Sequence, residues 1–374
     1  MHNNSTLNKI MIGALLILST PNVKQIKEET KAQLIDEKTA YYMEYLKLRW
    51  SLNKAKDMIE EAKGKRGKWL VIGKPRGNEF DEYKLIRIKK NKNFRIASIE
   101  GHGISQTYKI TDKQGNEWIP LMAYLRYHRR DYIYTPYHPF FSKDYIIDAG
   151  LSYIAAVQEK VKEVLIRENL YVKFKGSKTH ICNLVPDEII PIIYVIEHND
   201  IYMIKDEDAA IDAINKVMAT IALNREKAYI YSESPMHAIG ISQFTHKTWK
   251  RLWYRYVKKS KNLKFIPKQF YIGARDIRSS MAMMYLFFYD MVKIYSNMGT
   301  LDRMDSDDLM YNLIISYNGG AMPSIKGIYL AGPEWYKKRR DILKNETVYY
   351  IKKAMAIHSI LAGKYAVLTS NIQY

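Results

Sequence analysis

The sequence predicts an α+β chain that is mainly α, with a long helix, a small antiparallel β module and then a helical domain. Three observations carry this prediction. Between residues 24 and 66, apolar side chains recur at alternating three- and four-residue steps. Between 67 and 135, short alternating runs are separated by turn residues. From 140 to 374 the helical period returns and persists nearly to the end.

Each element can be justified in turn. Residues 1–20 contain Lys9 and then the apolar run Ile10–Leu18, the length of a signal-peptide core and too short to span a bilayer comfortably. This predicts export, with the run either cleaved as a signal or kept as an anchor. No later segment is apolar enough for a second span. Membrane contact is therefore expected only through the N-terminus. In the long helix, Leu34, Tyr41, Tyr45, Leu48, Leu52, Ala55, Ile59 and Ala62 form a seam that Lys38 interrupts. That seam fits a dimer contact through a coiled coil equally well as packing on the helix's own domain. In the β module, Leu85–Ile88, Phe94–Ala97 and Thr107–Ile110 alternate, with Lys90–Asn93 and Asp112–Asn116 as turns. A scaffold role fits it better than a ligand of its own. An aromatic, proline-rich connector, Tyr132–Phe141, leads into the helical domain.

Composition narrows the chemistry. The chain has 374 residues, with 59 Lys and Arg against 39 Asp and Glu, a net charge of +20. An anionic partner follows, whether nucleic acid, membrane or cell-envelope polymer. Its one cysteine, Cys182, excludes an internal disulfide and a cysteine zinc site. Nine histidines form no HExxH pair, so a zinc hydrolase has no support. No cofactor and no metal is expected.

Two stretches carry the chemistry. The helix Ile189–His198 opens after Pro186-Asp187-Glu188 and carries Glu197 at the end of a nearly unbroken apolar run. A carboxyl against apolar walls keeps its proton, as a general acid toward a glycosidic oxygen must. The second stretch, Ser234–Phe244, gathers small residues around the amide of Gln243 and continues to Thr248-Trp249. Small residues let a backbone approach a ligand, and an amide offers both donor and acceptor.

From Pro186 to Tyr350 the chain resembles the catalytic domain of the soluble lytic transglycosylases, lysozyme-like enzymes that cleave peptidoglycan. Four blocks match in order. Ile192–Glu197 matches the helix ending in the catalytic glutamate. Ser234–Phe244 with Thr248-Trp249 matches a Ser-x-x-Gly-Ala-x-Gly-Leu-Met-Gln-Phe block. Ser316–Gly320 matches Ala-Tyr-Asn-x-Gly, and Glu346–Ile351 matches Glu-Thr-x-x-Tyr-Val. Asp276-Ile277 before a Met- and Tyr-rich helix also fits the layout. Three positions depart from the pattern: His198 replaces serine, His237 replaces glycine and Ser242 replaces methionine. Glu197 and Gln243 are also farther apart than in the family, the difference being a helical insertion around 208–224. Glu233 sits too close to Gln243 to be the acid.

The resemblance implies a lysozyme-like domain over 140–374 and a set of roles. Glu197 is the single catalytic acid and base, and the sugar's own 6-hydroxyl closes to a 1,6-anhydro product. Ser234, Gln243, Tyr317 and Asn318 bind the saccharide, with Tyr317 holding either Glu197 or the sugar. Ala238, Gly240, Phe244, Thr248, Gly319, Glu346, Thr347 and Tyr350 are structural, the last three by packing. The implied partners are peptidoglycan glycan strands, with anionic cell-envelope polymers beside them and no nucleic acid. The implied location is extracytoplasmic: periplasm, cell wall or secreted. Three alternatives stay open. A hydrolytic lysozyme would need a second carboxylate, with Asp200, Asp206 and Glu233 as candidates. A non-catalytic wall-binding part of an envelope-spanning machine would need no acid. A nucleic-acid binder would rest on charge and tyrosines alone.

Overall fold

The computed structural model describes residues 28–100, 106–127, 130–200, 204, 206–338 and 345–370. The apolar run Ile10–Leu18 and the side chain of Leu34 lie outside the described residues. The chain is mixed α and β, mainly α, with an antiparallel sheet. It divides into two compact units. One runs to Phe140 and takes in Asp144–Ile146 and the chain from Ala366; the other comprises Phe141–Lys143 and Ile147–Tyr365.

The first unit is a helix on a sheet. Helix α1 (Glu28–Glu60) precedes strands β1 (Gly67–Arg76), β2 (Glu79–Arg87), β3 (Phe94–Glu100), β4 (Thr107–Asp112), β5 (Glu117–Tyr127) and β6 (Arg130–Tyr134). The six strands pair antiparallel in the order β2-β1-β5-β4-β3, with β6 also on β5. Leu70, Val71 and Ile72 on β1 and Leu121, Ala123 and Tyr124 on β5 are fully buried. Pro120 lies in the interior of β5, where a proline would interrupt a regular ladder. The β1–β5 register shifts at that point, between Val71 and Ile72, so the missing N–H falls at a bulge. The Asp112 carboxylate accepts from the backbone of Gln114 and Asn116 and closes the β4–β5 turn.

The seam of α1 meets the sheet. Leu48, Leu52, Ala55, Ile59 and Ala62 are buried, and the helix packs on β1, β2 and β5. The Tyr83 hydroxyl donates to Ser51 Oγ at 3.1 Å, and the Gly64 N–H donates to the Tyr124 hydroxyl at 2.9 Å. Over this half of the helix, the seam's apolar area is covered by the chain's own strands.

The second unit is helical except for one hairpin. Helix α2 (Asp144–Leu165) leads to β7 (Tyr171–Phe174) and β8 (Ser177–His180), which pair antiparallel. The periodicity reading has helix throughout here. The hairpin forms because Lys175 and Gly176 both hold positive φ, at 47° and 77°, the geometry of a tight two-residue turn. A Lys-Gly pair is a weak sequence signal for that turn. Helices α3 (Ile189–Glu197), α4 (Glu207–Asn224), α5 (His246–Leu252), α6 (Phe270–Gly273), α7 (Ile277–Asn297), α8 (Ser306–Gly319), α9 (Ala321–Ala331), α10 (Trp335–Lys338) and α11 (Asn345–Ser370) follow, the last belonging to this unit as far as Tyr365.

The core is built around α7, which is apolar on nearly all sides and buried along most of its length. The Asp276 carboxylate caps its start by accepting from the Ser279 N–H at 2.7 Å. Close packing of α2 on α4 depends on Gly150. A Cβ there would stand 2.2 Å from the Met218 carbonyl oxygen. A buried polar cluster ties α8 to its neighbours. Asn312 Oδ1 accepts from Ser324 Oγ at 2.7 Å and from Trp335 Nε1 at 2.9 Å. The Tyr295 hydroxyl lies 2.9 Å from Ser316 Oγ. Buried polar groups satisfied in this way hold one arrangement and penalise others. α8 therefore presents its C-terminal residues at a defined place.

Candidate active site

Glu197 is the C-terminal residue of α3. The eight residues before it, Ile189–Ile196, are all buried. The helix entrance is held from α2, where Gln158 Nε2 donates to the Asp187 carbonyl and side chain at 3.1 and 3.0 Å and Lys162 pairs with Asp187. An apolar helix fixed at its start sets the depth at which its last side chain emerges.

Protein surrounds the Glu197 carboxyl closely, yet the residue keeps some accessible surface. Burial pushes its pKa up to about 7, because the charged form loses hydration. The Tyr350 hydroxyl donates to Oε1 at 2.6 Å and acts in the opposite direction, as does the charge of Lys353. Glu346 adds to the rise through like-charge repulsion. The carboxyl is thus about half protonated at neutrality, on a residue that keeps some accessible surface.

Tyr350 comes from α11, as does Lys353 one turn later. The sequence reading assigns Tyr350 to packing; the structure puts its hydroxyl on the carboxyl. Lys353 is almost fully buried, its ammonium donates to the Asn199 carbonyl at 3.2 Å, and burial pulls its pKa down to about 8. Sequence reasoning missed Lys353. Its signal is slight, since it is one of two adjacent lysines on an amphipathic helix. Docking of α11 is reinforced by the Tyr311 hydroxyl and His358 Nδ1, 2.8 Å apart.

Tyr317, near the end of α8, is the second tyrosine at the carboxyl. Burial and the nearby Glu197 charge both raise its pKa. Its hydroxyl donates to the Ser242 carbonyl at 2.5 Å. Phe244 and Phe287 hold its ring edge-on at centroid distances of 5.7 and 5.4 Å. The next residue, Asn318, accepts from the Thr347 hydroxyl at 3.1 Å, which ties the end of α8 to the start of α11. Gly319 faces the same threonine, whose hydroxyl would lie 3.3 Å from a Cβ there. Glu346 is exposed.

The stretch from Ser234 to Phe244 is a compact double turn. Ser234 Oγ accepts from the Ala238 N–H at 3.0 Å, so its oxygen already closes the first turn. Gly240, at φ 74°, packs against the backbone of Ala274, where a Cβ would stand 1.9 Å from the carbonyl oxygen. Only glycine fits there. Gln243, at φ 47°, donates its amide to the Gly240 carbonyl at 2.7 Å and to Ser232 Oγ at 3.1 Å. That leaves its Oε1 without a protein partner among the described residues and the side chain half-exposed. Ala238 and Phe244 are buried; Thr248 faces Thr245 in the cap of α5, its N–H donating to the Thr245 hydroxyl.

This turn is joined to the Glu197 corner through its backbone. His198 Nε2 donates to the Ile241 carbonyl at 2.9 Å, and Tyr317 holds the carbonyl of Ser242. Burial pulls the His198 pKa down to about 3, so it stays neutral, and its ring stacks on Tyr229 at 3.7 Å. Ser242 is fully buried, as is Tyr194, one turn before His198 on α3. His237 is exposed at a left-handed φ of 58°, a conformation that favours glycine, with its ring on Glu233 at 2.8 Å. The structure therefore brings together Glu197, Tyr317, Tyr350 and the Ile241–Gln243 backbone. It leaves Ser234 and Glu233 on the outer side of the turn. Among the described residues, no cluster of three or more His, Cys, Asp or Glu side chains could hold a metal ion.

Comparison with family models, with curated proteins and with solved structures finds no match to this chain.

Proposed function

We propose that the second unit is a lysozyme-like, glycan-cleaving domain, a peptidoglycan lytic transglycosylase of the soluble type, with Glu197 as its single general acid and base. One observation carries the proposal. Glu197 ends a buried apolar helix with its pKa raised to about 7, accepts a hydrogen bond from the Tyr350 hydroxyl and is not wholly buried as a residue. A glycosidic oxygen is a weak base that leaves only when protonated, and a carboxylic acid near neutrality supplies that proton. The resulting carboxylate, steadied by Tyr350, then takes the proton of the attacking hydroxyl. With the substrate's own 6-hydroxyl as nucleophile, no second carboxylate is needed, in contrast to the paired carboxyls of most glycosidases. Gln243 Oε1 is free to accept from an amide or hydroxyl of the sugar. The basic charge of the chain and the apolar N-terminal run fit a wall polymer met outside the cytoplasm.

The test is to incubate the purified protein with cell-wall sacculi and identify the products by mass. The expected products are 1,6-anhydro-muropeptides, absent with Glu197→Gln. Equal release by that variant would remove Glu197 from the role. A hydrolytic reading has one observation of its own: the Glu346 carboxylate is near enough to raise the Glu197 pKa and is exposed to water. Reducing-end products that disappear in Glu346→Gln would establish it in place of the lyase.

A further inference from the structure

Half of the chain's charge surplus lies in one stretch beside the Gly240 turn. Between Lys247 and Arg278 there are eleven Lys and Arg against a single acid, Asp276, a surplus of ten out of the chain's +20. All eleven are exposed. Arg251 and Arg255 pair with the buried Asp290. The other nine make no ion pair among the described residues. Asp276 is occupied as the cap of α7.

Aromatic faces lie among these cations. Residues 253–257 form one turn of π-helix, in which the Trp253 and Tyr254 rings meet edge to face with centroids 5.3 Å apart and Tyr254 is exposed. π-turns of this kind are rare and frequently lie at functional sites. Lys268 reaches over both rings, at 5.9 and 5.7 Å from their centroids. Tyr271 is 58% exposed on α6, with the Arg275 guanidinium over it at 5.9 Å. α6 in turn has little room to move. Gly273 is pressed against the Trp249 ring, and the Gly240 turn rests on Ala274 and Arg275. Arg275 therefore adjoins the turn that carries Gln243, with the Tyr271 ring beneath its guanidinium.

From this we infer that the surface formed by Trp253, Tyr254, Lys268, Tyr271 and Arg275 binds a polyanionic glycan strand and continues the Gln243 wall beyond the Glu197 corner. Rings stack on the flat faces of sugars, and unpaired cations meet carboxylates along the strand. Unneutralised like charges repel one another, so a surface this basic favours an anionic polymer over a neutral one. The ligand class rests on the glycan reading above.

The experiment measures binding with Glu197→Gln protein, so that strands stay intact. The probes are soluble glycan strands with carboxylate-bearing peptide stems, the same strands methyl-esterified, and a single-stranded thymidine oligonucleotide. A triple variant, Lys268→Ser, Tyr271→Ser and Arg275→Ser, is compared with an exposed control triple in the first unit, Arg95→Ser, Lys109→Ser and Lys113→Ser. We expect the platform triple to weaken binding of the acidic strands roughly tenfold or more, with a flatter salt dependence, and the control to change it less than about twofold. Esterified strands should bind weakly to both. Equal loss in the two triples, or no preference for the acidic strands, overturns the inference. Tighter binding of the oligonucleotide, lost in the platform triple, makes the surface a nucleic-acid site instead. If acidic strands bind through the platform and wild-type protein never cleaves them, the enzymatic reading fails and this inference survives.

Discussion

Two corners of the second unit each hold a glutamate with a histidine close by, and they differ in almost everything else. Glu197 adjoins a histidine that stays neutral, ends a buried helix and is held by a tyrosine hydroxyl. Glu233 lies in the open, with the exposed His237 ring 2.8 Å away as its partner. An exposed carboxylate beside a histidine is an ordinary surface pair of small consequence. Residue type and a neighbouring histidine therefore do not make an acid. What sets Glu197 apart is its enclosure, which raises its pKa.

The sharpest way to break this comparison is to swap both glutamates. Glu197→Gln should lower glycan cleavage by about a thousandfold, within the range that general acid catalysis supplies. Next in size is Gly240→Ala, which tests whether the Glu233 corner contributes shape in place of a proton. Its Cβ would collide with a carbonyl at a left-handed backbone position, and we expect a stability loss of ~3 kcal/mol or more in denaturant unfolding.

Tyr350→Phe removes the donor that steadies the carboxylate. Activity should fall about tenfold, and the alkaline limb of the pH–rate profile should move upward from about 7, because the lost hydrogen bond had favoured the charged form. An unmoved limb would show that the hydroxyl does not act on the carboxyl.

A smaller effect concerns stability. The Glu197 pKa is raised on folding, so its contribution is complete below the ordinary glutamate value of about 4.5 and declines as pH rises toward 7. Glu197→Gln should therefore match wild type at pH 4 and exceed it by up to ~3 kcal/mol at pH 8, read from urea midpoints. Smallest of all, Glu233→Gln should change stability by no more than about 0.5 kcal/mol and leave cleavage unaltered. A large loss in that variant would reverse the roles of the two corners.

Much of the architecture was legible in the sequence because periodicity reports burial. The seam of α1, the alternating strands and the apolar run before Glu197 all show this. The start of α7 at Asp276-Ile277 was legible as layout, while the capping bond of Asp276 appears only in the structure. The β7–β8 hairpin was not, since its turn depends on two backbone angles that Lys175-Gly176 scarcely advertises. The site was half legible. Glu197 and Tyr317 stand in recognisable local patterns. The contact of Tyr350 with Glu197 joins residues 153 positions apart, and only tertiary packing can bring them together. Lys353 was hidden for the same reason. The cationic platform was open to counting, yet a surplus spread over a whole chain conceals one gathered in 32 residues.

The distance in sequence between Glu197 and Tyr350 has a consequence for the order of biosynthesis. A ribosome has finished α3 long before it begins α11. During that interval the nascent chain carries its carboxyl without Tyr317 and then without Tyr350, so the completed corner is among the last things the polypeptide acquires. A chain cut short ahead of Asn345 can hold every apolar residue of α3 and still lack both the Tyr350 hydroxyl on that carboxyl and the buried Lys353 beside it.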